Sequence, residues 1–187
     1  MYLFFIIAPF ATFATLMSLA TAKIALAAAA AVGSALFVAD LVRGRSIKML
    51  TTGATLVFAA LFGYHIVSGA DMHPIAVRIA VDAGVLAIAL VSIAIRYPFT
   101  LQYALERTDA ETQARPQFTR VNYTLTWVWS GAFVAMIIAD VIAIYLPNTL
   151  LWTCAAIAFV ARQAATYFTQ WYPKHVTAHA IAAAKAA

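Results

Sequence analysis

The chain has 187 residues, 65% hydrophobic and 10% charged, with a formal charge of +5 and a mean hydropathy of +0.89. Soluble domains hold about 45–50% apolar and about 25% charged residues, so a water-soluble globule is excluded and one integral membrane domain is left. The basic residues are spread over several turns and form no single basic face, which excludes a nucleic-acid surface.

Between Leu3 and Val42 the charges are Lys23 and Asp40, and forty helical residues would extend about 60 Å, twice the roughly 30 Å of a hydrocarbon layer. The chain must therefore turn near Thr21-Ala22-Lys23. Spans are predicted over about 3–21, with Pro9 tolerated in its first turns, and about 24–42. Ala20-Thr21-Ala22 has the form of a signal-peptidase site, but Met1-Tyr2-Leu3 carries no basic side chain, so the first run is expected to be a retained helix. The basic turn Arg43-Gly44-Arg45-Ser46-Ile47-Lys48 leads into a third span, about 49–67, and the breakers Gly69 and Pro74 precede a fourth, about 75–95.

Residues 98–120 are the long polar connection, and the spacing of Leu101, Ala104 and Leu105 predicts a short interfacial helix there. A fifth span, about 121–146, ends at Pro147-Asn148, and a sixth, about 149–172, ends before Pro173. The expected architecture is an all-α polytopic transmembrane bundle of about six spans: one domain over 1–172, then a tail over 173–187. Arg43, Arg45, Lys48, Arg96, Arg107, Arg115, Arg120, Lys174 and Lys185 fall on connections of one parity and only Lys23 on the other, which places both termini and the basic turns in the cytoplasm. Tyr145, Trp152, Tyr167, Trp171 and Tyr172 suit aromatic belts at the two interfaces.

Charges inside a span cost about 2.5–3.5 kcal/mol each at the centre on insertion scales, so each needs a partner or a purpose. Arg78, Asp82, Asp140 and Arg162 are such charges. Arg78 and Asp82 are four apart, hence on one face of the fourth span and able to form an intrahelical ion pair. Counted from Pro74 and Pro147, Asp82 and Asp140 lie about 12 Å and about 10 Å below the external edge. His65 is expected to join this group, with Asp71 and His73 in the loop above. Two readings compete: interhelical polar clamps, or a titrating or substrate-binding site. Arg162 is too costly to face lipid at its depth and is expected to point inward.

Other motifs carry less chemistry. Cys154 is a single packing cysteine that allows no internal disulfide. His175 and His179 have the spacing of two zinc ligands but lack the intervening Glu, so a solvated tail is the better reading, and no metal, cofactor or catalytic residue is assigned. Ala39-Asp40 and Ala139-Asp140 sit in the same apolar frame, as an inverted repeat would require, although Asp40 has the simpler role of pairing with Arg43. Gly84 and Gly131 are candidates for close helix approach.

The basic turn Arg43-Gly44-Arg45-Ser46-Ile47-Lys48-Met49 before an apolar span, Pro98 opening the long connection, and Asn122 with Trp127 or Trp129 ahead of Leu146-Pro147 and Trp152 together resemble the bacterial intracellular septation protein A family, over about residues 14–172. That resemblance implies a multi-pass inner-membrane protein of envelope synthesis and division with no catalytic residues to carry over. The family is drawn with five spans, so a partial or re-entrant first helix is the alternative. The expected function is envelope maintenance through contacts with membrane partners, homo-oligomers included. Its rival is a proton-coupled or lipid-handling carrier built on Arg78, Asp82, Asp140, Arg162 and His65. A membrane enzyme ranks third, since one His and two acids do not specify a reaction.

Overall fold

The computed structural model describes residues 2–69, 72–145 and 148–186, with side chains over 8–69, 72–145 and 152–178. Eight helices account for nearly all of it: α1 (Tyr2–Leu19), α2 (Ala22–Val42), α3 (Met49–Ser68), α4 (Pro74–Ala94), α5 (Phe99–Leu105), α6 (Ala110–Gln113), α7 (Pro116–Tyr145) and α8 (Asn148–Ala186). Four of them, α2, α3, α4 and α7, are long and apolar enough to cross a membrane, whereas the described side chains of α1 form a shorter apolar stretch, Ala8–Leu19. The protein is thus an all-helical bundle with the character of a multi-pass membrane protein.

The helix ends have local causes. Thr21 caps α2 by accepting the N–H of Ile24 at 3.4 Å, and Pro74 opens α4, where a missing N–H costs nothing, with the ring of His73 accepting from Ile75 at 3.3 Å. At the ends of α2 and α4 the chain reverses through Gly44 (φ 63°) and Arg96 (φ 59°), and the next amide returns to a carbonyl five residues back: Arg45 to Asp40 and Tyr97 to Ser92, both 2.9 Å. Arg96 holds this left-handed conformation with a Cβ, which costs about 1–2 kcal/mol, while glycine would lose about 0.4–1 kcal/mol through the unfolded chain. Arg96→Gly is therefore expected to raise stability by about 0.5–1 kcal/mol, read as a higher midpoint of detergent-induced unfolding.

Space follows sequence: α1 packs on α2, α2 on α3, α3 on α4, α4 on α7 and α7 on α8. One core joins Phe13 of α1, Ala25, Leu26 and Ala29 of α2, Ala54 and Phe58 of α3, and Val77 and Val81 of α4. The other joins Val85 and Ala89 of α4 to Phe133, Met136, Ala139 and Ala143 of α7 and Cys154 and Ala158 of α8, with Phe10 packed against both. A Cβ on Gly33 would overlap the Thr55 side chain, and one on Gly84 would lie 2.7 Å from Val57 Cγ2, so both glycines let neighbouring backbones approach. Gly131 does not act this way, since a Cβ there meets nothing within 4 Å.

The long connection folds back onto the bundle. Ser92 donates to the Ala89 carbonyl (2.6 Å) and accepts the N–H of Phe99 (3.0 Å), while buried Thr100 donates to the Asn122 carbonyl (2.7 Å) and meets the Thr126 hydroxyl (2.9 Å). These bonds pin α5 to α4 and α7. Two boundaries differ from the sequence expectation. α7 begins at Pro116, a favoured first helical residue, rather than near 121. α8 runs through Pro173 to Ala186 instead of stopping there. Proline removes a single helical N–H, and the helix on both sides carries the backbone across the gap.

Candidate functional site

α4 buries Val77, Val81, Val85 and Ala89, a line of residues four apart, so Arg78 and Asp82 lie together one step round the helix from that line. α7 buries Phe133, Met136, Ala139, Asp140 and Ala143, which makes Asp140 a core position in the helical repeat. Packing α4 on α7 brings Arg78 and Asp140 into contact, Nη2 to Oδ1 at 2.9 Å. Asp140 is only 2% exposed, whereas the Arg78 side chain keeps 39% of its surface. The sequence pairing of Arg78 with Asp82 is thereby corrected: the guanidinium reaches across to the neighbouring helix, because the buried carboxylate has the greater need of a donor.

Asp82 is half-buried, and no ion pair or hydrogen bond reaches it among the described residues. Asp82 lies four residues from Arg78 on the same face of α4. The guanidinium of Arg162, expected to point inward, makes no ion pair with either carboxylate among the described residues. It is exposed on α8, which packs closely on α7 alone and so forms the edge of the row. His65 is on α3, and among the described residues it has no hydrogen bond or ion pair to the four charges and its buried Nδ1 has no partner. His73 is occupied as the cap of α4, and Asp71 lies outside the described residues. Asp140 Oδ2 is also buried with no hydrogen-bond partner among the described residues.

A second polar centre lies at the end carrying the basic turns. Lys48 is 4% exposed, and its ammonium sits 3.1 Å from Glu106 and 3.5 Å from Asp40, donates to the Ser46 carbonyl (3.3 Å) and lies 5.9 Å from the centre of the Tyr103 ring. Around it, Gln102 Oε1 accepts the N–H of Met49 (2.7 Å), Tyr103 meets Thr51 (2.8 Å), and Ser46 donates to Glu106 (2.7 Å). Asp40 pairs with Arg45 and Lys48, not with Arg43 as expected. These contacts set the 43–48 turn and the 95–115 connection at one end of the bundle, in agreement with the parity of their charges. The buried role of Lys48 was not readable from its place in a basic turn, because its partners in α5 lie more than fifty residues away in sequence. The one available signal was the polar pair Gln102-Tyr103 beside the apolar residues of α5.

Burial pushes Glu106 upward, but the Ser46 hydroxyl and the Lys48 ammonium outweigh it and hold the carboxyl below its ordinary value. A carboxyl lowered in the folded state stabilises above its unfolded pKa, and that contribution disappears as pH falls through the lowered value. Docking of α5 should therefore be intact at neutral pH and loosen progressively below about pH 4.5. Spin labels at positions 47 and 107 are expected to separate on acidification in the wild type, and Glu106→Gln should remove the pH dependence. Tyr103 is shifted the other way: burial pushes its phenol up to about 12. It remains a neutral partner of Thr51 throughout the physiological range.

Among the described residues no group of three His, Cys, Asp or Glu side chains could hold a metal ion. His175 is stacked on Trp171 at 4.6 Å, and the side chain of His179 lies outside the described residues. No family model, curated protein or solved structure matches the chain.

Proposed function

We propose that this is a multi-pass protein of a bacterial inner membrane that supports envelope maintenance and septation through lateral contacts with membrane partners. α1 and the first 25 or so residues of α8, about 37 Å of helix, would be its fifth and sixth spans. The basic end would lie in the cytoplasm with the C-terminus. The Arg78–Asp140 contact carries this reading: a direct ion pair that closes a buried carboxylate onto the adjacent helix is the chemistry of a clamp. The resemblance to the septation protein A family supplies the cellular role. Large apolar side chains exposed on the helices, among them Val38, Leu56, Ile138 and Phe159, suit contact with lipid and with other spans.

A carrier of protons or lipids is the second reading, favoured by the unpartnered Asp140 Oδ2 and by Asp82, which lacks a direct partner. Deleting the gene in its own bacterium should give a septation or envelope defect. The charge exchange Arg78→Asp with Asp140→Arg should restore the wild-type phenotype if the pair is a clamp. Normal septa and an intact envelope after deletion would reject the first reading, and failure of a well-folded exchanged protein would favour the carrier.

A further inference from the structure

The C-terminal half of α2 carries a groove of about 580 Å³, lined among the described residues by Ser34, Ala35, Val38, Ala39, Val42 and Arg43. That volume is in the range of about 300–1,000 Å³ found for ligand sites. The lining comes in pairs four residues apart, so it follows one face of the helix. This face is turned away from the bundle: α2 buries Ala25, Leu26, Ala29 and Gly33, whereas Ser34, Ala35, Val38, Val42 and Arg43 are exposed. Its side chains are small or aliphatic until Arg43, which ends the groove at the first residue of the basic turn.

The distance from Ser34 to Arg43 is about 14 Å of helix, half of the roughly 30 Å of a hydrocarbon layer. With the basic turn at the membrane surface, the groove therefore runs through one leaflet and ends at the level of the headgroups. Arg43 has no side-chain ion pair or hydrogen bond among the described residues. The acceptors nearest to it in the chain are already taken. Asp40 pairs with Arg45 at 3.6 Å and Lys48 at 3.5 Å, and the carbonyls of Ala39, Asp40 and Leu41 accept the N–H groups of Arg43, Arg45 and Gly44. The guanidinium thus presents a fork of donors to whatever lies outside the bundle.

We propose that this groove holds an anionic phospholipid of the leaflet that meets the basic turns, with an acyl chain along Ser34, Ala35, Val38, Ala39 and Val42 and the phosphodiester on Arg43. A guanidinium and a phosphate match in geometry as well as charge, because two parallel N–H donors meet two oxygens. Other occupants fit worse. A zwitterionic lipid brings an ammonium toward Arg43 and Arg45, which offsets part of the attraction. A helix of another protein crosses both leaflets, whereas the groove crosses one, and it would cover Arg43 without supplying a phosphate. The inference needs only the membrane character of the bundle and stands whether the Arg78–Asp140 pair serves a clamp or a carrier.

The test uses the full-length protein, one copy per nanodisc, in equal phosphatidylglycerol and phosphatidylethanolamine with identical chains. In parallel samples one lipid or the other carries a photoreactive diazirine on an acyl chain, and labelled peptides are mapped by mass spectrometry after illumination. Phosphatidylglycerol is expected to label residues 34–43 about fivefold more than phosphatidylethanolamine, the factor that about one arginine contributes near an anionic surface. Arg43→Gln should bring the two lipids to the same level. Lys23→Gln removes the same charge from the opposite end of α2 and should leave the ratio unchanged. Ala35→Phe should fill the groove and lower labelling there by both lipids. All three positions are exposed, so the helix content measured by circular dichroism should match the wild type. Equal labelling by the two lipids in the wild type overturns the proposal, as does a ratio that survives Arg43→Gln or falls equally in Lys23→Gln. Label lost from the groove in nanodiscs that hold two copies would assign it to a second copy of the chain and overturn the lipid site as well.

Discussion

Replacing Arg78 with glutamine is expected to destabilise the bundle by about 3 kcal/mol, the low end of the range for breaking a buried ion pair. The low end applies because the Arg78 side chain is 39% exposed, although Asp140 is 3% exposed and would be left with a weaker neutral donor. The loss comes mainly from the stranded carboxylate. Adding Asp140→Asn should therefore recover most of it, since an amide facing an amide is tolerated where a lone charge is not. Unfolding by a denaturing detergent, run as a double-mutant cycle, would show a coupling energy above about 1.5 kcal/mol for this pair. A single-variant loss below about 1 kcal/mol would mean that Arg162 or water takes over Asp140, and the clamp reading would lose its support.

The second large effect concerns packing. Gly84→Val should cost about 1–3 kcal/mol, because its Cβ would lie 2.7 Å and 2.8 Å from the two methyl carbons of Val57 on α3. Val57 cannot withdraw far, being β-branched and stiff at its first torsion. Shortening it supplies the missing room, so Val57→Ala in the Gly84→Val background is expected to restore most of the stability even though it removes buried carbon. Additive losses in the double variant would show that α3 and α4 are not held at the described separation.

The two experiments probe different links between structure and role. Arg78 and Asp140 join α4 to α7, while Gly84 and Val57 join α3 to α4, so each tests one step in the row of helices. A membrane scaffold should lose function in proportion to either loss of stability. A carrier should be more sensitive at Asp140 and Arg162 than stability alone requires.

Most helix limits were readable from the chain because their causes are local. Lys23 and the polar Thr21 force the first reversal, Pro74 and Gly69 bracket the turn between α3 and α4, and the mid-bundle helices repeat apolar residues over a bilayer's thickness. Pro173 misled, since a proline weakens a helix without having to end it. The distance of Asp82 and Asp140 from their helix ends was also accessible, being a count of residues at a fixed rise. Their pairing was not. An i, i+4 spacing shows that Arg78 can reach Asp82, but whether it does so depends on what another helix offers.

Residue order and hydropathy alone therefore determined an all-helical, membrane-type chain, its turning points and the set of costly charges, because backbone hydrogen bonding and solvent preference act within each segment. Tertiary structure decided that Asp140 rather than Asp82 takes Arg78, that Lys48 is buried between Asp40 and Glu106, and that Arg162 lies on the exposed edge helix. These outcomes depend on the rotation of each helix about its axis and on which helix lies beside it. Packing of side chains far apart in sequence sets both, and periodicity along one segment carries no information about either.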